Sequence, residues 1–154
     1  MANKQEAIAQ LHRAQQDFRG RIANLPADAY DEIFLGKWNL SHLLAHMAGW
    51  AKEMRGACER VAAGQKPTPE GVDYSNSDLW NAKFSSTATP GKQALVSWDH
   101  RFKEYMAAAQ GLDASLYGEK DGRPLIGNRL LQTAGIGHLA EHQVEIDAWL
   151  AARK

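Results

Sequence analysis

The sequence predicts an all-α protein, a four-helix bundle, on three observations. Apolar residues recur at steps of three, four or seven along four stretches. Cap and stop residues bracket those stretches, and no segment reads as a convincing strand. A chain of 154 residues is the length of one domain, residues 1–154, and can bury a core without covalent staples. Amphipathic helices of this length have one common packing solution, a bundle.

The first helix spans about residues 3 to 25, where Ile8, Leu11, Phe18, Ile22 and Leu25 form one apolar stripe and Pro26 ends it. Residues 27–38 show no clear period and read as a connector. Asn39 caps a second helix that runs to about Ala63, with Gly64 as its stop. A loop with Pro67, Pro69 and Gly71 follows, and residues 77–84 make a short extra helix capped by Ser77 or Asn76. Thr89-Pro90 reads as the cap and first position of a third long helix, with Leu95, Trp98, Phe102 and Tyr105 as its stripe. Residues 112–128, rich in glycine, read as loop. The last helix covers about 129–152 with Leu131, Leu139, Ile146, Trp149 and Leu150.

Eighteen basic and eighteen acidic residues cancel. That balance leaves no electrostatic footprint for nucleic acid and no basic run for a membrane surface. No uncharged apolar stretch reaches the length of a membrane span, and the polar first residues lack the apolar core of a signal peptide. Cys58 is the only cysteine, so no disulfide forms within the chain, and a cytoplasmic location is expected. Cys58 itself reads as a buried, inert thiol.

The chemistry lies in the histidines. A helix turns roughly 100° per residue, so His138 and His142 stand on one face, one turn apart, with Leu131, Gly135, Glu145 and Trp149 near the same meridian. On the second helix, Leu43, His46, Gly49, Trp50, Glu53 and Ala57 share one side. Both faces read as inward, and buried imidazoles are costly unless their nitrogens find partners. One divalent cation partners all three at once and leaves coordination positions open, as in catalytic sites. The bland alternative is a set of satisfied core histidines. Two other metal readings fail. His138-Leu139-Ala140-Glu141-His142 matches H-x-x-E-H, but Glu141 points about 80° from the histidine line, and the short remaining chain offers no third ligand. A di-iron site needs two Glu-x-x-His motifs, which the sequence lacks.

Around the histidines, Glu53 and Glu145 are candidate catalytic carboxylates: Glu53 as general base or as acceptor for an imidazole N–H, with a plain surface carboxylate as the alternative, and Glu145 as a contact to metal-bound water. Trp50, His42 and Trp149 are candidate walls of a substrate pocket, with core packing as the simpler reading of the two tryptophans. His42 is alternatively an additional ligand or an exposed residue of the first helical turn. His12 and His100 read as solvated, and Trp80 and Trp98 as core.

Trp38-Asn39-Leu40-Ser41-His42-Leu43-Leu44-Ala45-His46-Met47-Ala48-Gly49-Trp50 resembles the start of the second helix in DinB/YfiT-like proteins. Gly137 to Leu150, containing His138-x-x-x-His142, is similar to their closing helix. Leu79 to Phe84 and Leu116-Tyr117-Gly118 are similar to the ClbS/DfsB-like branch. The resemblance implies a four-helix bundle, often a homodimer, holding a metal with one histidine of helix two and two of helix four. Residue by residue these are His46, His138 and His142. His42 stands where many relatives carry an acid. Family members include thiol-dependent isomerases and transferases, and the ClbS-like branch includes a resistance protein without an obvious metal requirement.

The expectation is a metal-dependent hydrolase or low-molecular-weight-thiol transferase acting on a small electrophile, with zinc, nickel or iron as the ion (copper also suits imidazoles). Arg55, Arg123 and Arg129 are candidates to receive a thiol cofactor. The competing expectations are a protein that binds a small molecule without turnover, and a structural bundle with incidental histidines.

Overall fold

The computed structural model describes residues 2–153. Helix α1 spans Lys4–Ile22, α2 Leu40–Ala62, α3 Ser77–Ser85 and α4 Gln93–Gln110. The final helical run is continuous from Ile126 to Ala152: α5 covers Ile126–Leu131, a π-helical stretch Gln132–Gly137, and α6 His138–Ala152. The long helices form an all-α bundle in which α2 packs most extensively on α4 and α1 on α6. Short α3 lies in the connection between α2 and α4, against α2. The predicted stripes are the core: Leu11, Phe18 and Ile22 of α1, Leu43 and Leu44 of α2, Trp98, Phe102 and Tyr105 of α4, and Leu139 and Ile146 of α6 are buried. Cys58 is fully buried, and burial pushes its thiol up to about 12, as expected of an inert side chain. No helix among the described residues is long and apolar enough to cross a membrane.

The caps explain two of the helix starts. Asn3 accepts from the Glu6 N–H at 2.9 Å and starts α1. Asn39 accepts from the His42 N–H at 2.8 Å, while His42 Nδ1 accepts from the Asn39 N–H at 3.1 Å. This reciprocal pair closes a capping box with histidine in the place usually held by Glu or Gln.

Three expectations need correction. First, strands exist. β1 (Ile33–Leu35) pairs antiparallel with β2 (Trp38–Asn39), and β3 (Glu119–Lys120) with β4 (Arg123–Pro124). Two-residue turns close both hairpins, with positive φ at Gly36, Asp121 and Gly122. Gly-X and Asp-Gly are the local signals for such turns, and strands this short carry no readable alternation. Second, α4 begins at Gln93, not at Thr89-Pro90. Gly91 adopts φ +58°, which a right-handed helix does not admit, so the ladder starts behind it. Third, the last helix starts three residues earlier than its periodicity indicated and widens into a π stretch over 132–137.

The π stretch packs closely against its neighbours. Gly135 is buried against α1 and α4: a Cβ there would sit 2.7 Å from Leu11 Cδ1 and 2.7 Å from the Tyr105 hydroxyl. That hydroxyl is fixed, donating to the Leu130 carbonyl at 2.6 Å just before the wide turn. The backbone of 132–137 thus passes unusually close to its neighbours immediately ahead of His138. Gly135→Ala is expected to lower the thermal midpoint, because overpacking of about 1–3 kcal/mol outweighs a helix-propensity gain of about 1 kcal/mol. A midpoint that stays or rises on thermal unfolding contradicts this packing.

Candidate metal centre

His46 lies on the second turn of α2, beyond the capping box, and is 4 % exposed. His138 is the first residue of α6 and His142 follows one turn later. The fold brings all three together. His46 Nε2 lies 2.9 Å from His138 Nε2 and 3.2 Å from His142 Nε2, and the latter two are 2.9 Å apart. Two chain segments about ninety residues apart in sequence therefore converge on one small triangle of nitrogens. The three could hold a metal ion.

The chemistry of that triangle decides what fits it. A neutral imidazole nitrogen either carries a proton and donates or carries a lone pair and accepts. In a closed triangle two of the three corners must be alike. One contact then sets donor against donor or acceptor against acceptor at hydrogen-bond distance, whatever the tautomers. Hydrogen bonding alone cannot satisfy the arrangement; a cation that takes a lone pair from every corner can. The three imidazoles fit such a group, being a neutral donor set suited to zinc, nickel, iron or copper.

Electrostatics point the same way. Burial pushes His46 down from the ordinary 6.5 to about 3, and charge repulsion from His138 and His142 adds to it. The neighbouring Asn81 amide opposes the shift weakly. Burial also pushes His138 down to about 4, with His142 contributing. Both rings are therefore held neutral, the state in which a nitrogen can ligate.

The surrounding side chains treat the three rings differently. Glu145 Oε2 lies 3.3 Å from His142 Nδ1, where the carboxylate can accept the ring's Nδ1–H. His46 Nδ1 is buried with no hydrogen-bond partner among the described residues. The ring of Trp38, on β2, covers His46 at a centroid distance of 5.1 Å. Sequence reasoning missed Trp38 as a neighbour of the site because the β1–β2 hairpin that presents it was read as an unstructured connector.

The remaining predicted site residues scatter. Trp50 lies one turn beyond His46, donates from Nε1 to Asn81 Oδ1 at 3.0 Å, and shares a cleft of about 170 Å³ with Thr133, Ala134, His138 and Glu141. Glu141, set aside in the sequence because of its angle, thus lines the same opening as His138. Glu53 is engaged by the Tyr74 hydroxyl at 2.7 Å and faces a different cleft. His42 is occupied in the α2 capping box. Trp149 stacks on Phe34 of β1 at 4.3 Å and 15°, packing the hairpin onto α6. His12 and His100 are exposed, as expected.

Arg55, one candidate for a thiol cofactor, is tied to Glu59 and Glu104. Arg123 and Arg129 are exposed and line neither of these two clefts.

The comparisons with known proteins agree with this architecture. No functionally curated protein matches the chain. A protein from Streptococcus pneumoniae of known crystal structure is similar with a TM-score of 0.79 at 13% identity, over 98% of this chain and 92% of that one. An uncharacterized protein from Clostridium difficile 630 gives a TM-score of 0.78 at 11% identity, over 98% and 97%. At such identities the likeness shows the fold alone. The sequence profile of the DinB superfamily matches residues 10–146, a span that includes all three histidines, and the chain belongs to that superfamily.

Proposed function

We propose that His46, His138 and His142 hold one divalent cation and that the protein is a metal-dependent enzyme acting on a small electrophilic molecule. Hydrolysis and transfer of a low-molecular-weight thiol are the two reactions that suit the site. The observation that carries the reading is the triangle of three Nε2 atoms within 3.2 Å, which hydrogen bonds cannot satisfy. When bound, the cation supplies a Lewis acid that lowers the pKa of a coordinated water or thiol.

The chain's own residues complete the site. Glu145 holds His142 in one tautomer and one orientation. Trp38 and Trp50 supply apolar ring surface beside the imidazoles, Trp38 over His46 and Trp50 along the cleft at His138, so that the reacting group meets little water there. The cleft of about 170 Å³ at His138 admits a reactive group rather than a whole large substrate. Glu141 stands in that cleft as the carboxylate able to receive a proton from a nucleophile. Glu53, held by Tyr74, makes no contact with the histidines in this arrangement.

Elemental analysis of protein purified without a histidine tag should find about one equivalent of metal per chain, lost in His138→Ala and in His142→Ala. Metal-free protein of unchanged stability would remove the proposal. Consumption of thiol conjugates, esters or lactones by the loaded protein, abolished by chelation, supports an enzyme. Tight ligand binding without consumption favours a sequestering protein instead. Glu145→Gln should weaken metal affinity about 10–100-fold while leaving the melting of metal-free protein nearly unchanged. An unaltered affinity in a competition titration would show that Glu145 does not orient His142.

The pKa shifts give a pH test. Folded His46 and His138 take up protons only near about 3 and about 4, whereas the unfolded chain does so near 6.5. Below 6.5 the unfolded state therefore binds more protons, so the stability of metal-free protein falls as pH drops through that window. Denaturant midpoints measured from about pH 7 down to about pH 5 should decline, and less steeply in His138→Gln. A flat profile would mean that these imidazoles are not buried neutral.

A further inference from the structure

Outside the histidine centre, a cleft of about 350 Å³ lies between α2, α3 and α4. Lys52 of α2, Lys83 of α3 and Arg101 of α4 converge on it, and Thr87, Thr89 and Ser97 line it, the Thr87 hydroxyl already donating to the Phe84 carbonyl at 2.7 Å. Only one carboxylate, Glu53, is among its walls, and the Tyr74 hydroxyl already donates to it. No salt bridge among the described residues engages Lys52 or Lys83. Lys83 instead lies 4.9 Å above the Trp80 ring. Arg101 reaches Glu104 at 3.4 Å, but that carboxylate is shared with Arg55 and with His100.

Three cations from three different helices, in a chain whose total charge is zero, face one concavity with a single occupied counter-charge. The floor is apolar: Phe84, 8 % exposed, packs its ring directly onto the Cα of Gly49, which leaves no room for a Cβ. A concave apolar floor with a few convergent polar groups, at the lower end of the usual range of about 300–1,000 Å³, is the form of a small-molecule site.

We infer that this cleft binds a small oxyanion, a phosphate or carboxylate group, between Lys52, Lys83 and Arg101, with the hydroxyls of Thr89 and Ser97 as hydrogen-bond donors. Charge-assisted hydrogen bonds from two ammonium groups and a guanidinium supply the affinity. The apolar floor accepts the non-ionic part of the molecule that carries the group. The site does not depend on the histidine centre: Trp50 and Phe84, edge to face at 5.2 Å, stand between the α2–α4 cleft and the opening at His138.

The test uses full-length, tag-free protein stripped with a chelator, so that no anion can bind through a metal. Inorganic phosphate in one arm and succinate in the other are titrated at constant ionic strength. Backbone amide shifts and the thermal midpoint are followed. Saturable shifts confined to residues 45–53 and 83–101, with a raised midpoint, are the expected result. The stronger arm identifies phosphate or carboxylate as the group bound. Lys52→Gln and Arg101→Gln, both near the surface, should each weaken binding about tenfold or more, since a hydrogen bond to a charged group contributes about 1.5–3 kcal/mol. Shifts that never saturate, that chloride reproduces, or that persist unchanged in both variants overturn the site. Because the protein carries no metal in this experiment, its failure leaves the histidine proposal standing.

Discussion

Three imidazole nitrogens within hydrogen-bond distance of one another, in a buried position, impose a constraint that much of the surrounding structure serves. The triangle exists only if α2 and α6 sit in one register, because His46 comes from one and His138 and His142 from the other. A shift of either helix by one residue would rotate its histidine by roughly 100° away from the others. The π stretch before His138 fixes that register from one side. Gly135 admits Leu11 and Tyr105 against its backbone, so the phase of α6 is set by contact with α1 and α4 rather than by α6 itself. Wide turns of this kind are frequently found at functional sites, where they re-aim side chains.

The same constraint explains the hairpin and the aromatic residues. β1 and β2 add little backbone pairing, yet they place Phe34 on Trp149 and Trp38 on His46. The hairpin thereby covers His46, while the centre stays open at the cleft beside His138. Desolvation is costly for the imidazolium form, which is why His46 and His138 are held neutral. Neutral rings are the competent ligands. Burying the rings and preparing them as donors are thus one physical effect.

Trp50 divides the chemistry along α2. On one flank it borders the opening at His138 with Thr133 and Glu141; on the other, residues 45, 48, 49, 52 and 53 of the same helix face the cationic cleft. The rings of Tyr74, Trp80 and Phe84 pack around it, so the loop and short helix after α2 are anchored at this point. The α2–α4 connection therefore shapes both openings, although its own sequence carries no metal ligand.

The sequence by itself determined the helices, their buried stripes and the three histidines. Each of these is a local property: a period of 3.6, a cap at Asn39, a spacing of four between His138 and His142. Their meaning as one cluster was also legible, because both histidine faces carry the apolar residues that must turn inward. Other features depended on contacts between distant segments and left weak local traces. Trp38 became a neighbour of His46 through a hairpin whose two-residue strand shows no alternation. Glu141 came to the cleft because His138 opens the helix beside Trp50 of another helix. Glu53 left the histidine face for Tyr74, a partner 21 residues away. Helical phase is written into successive residues, whereas the direction a side chain takes at a helix–helix boundary is chosen by whatever packs against it, and only the tertiary structure decides that.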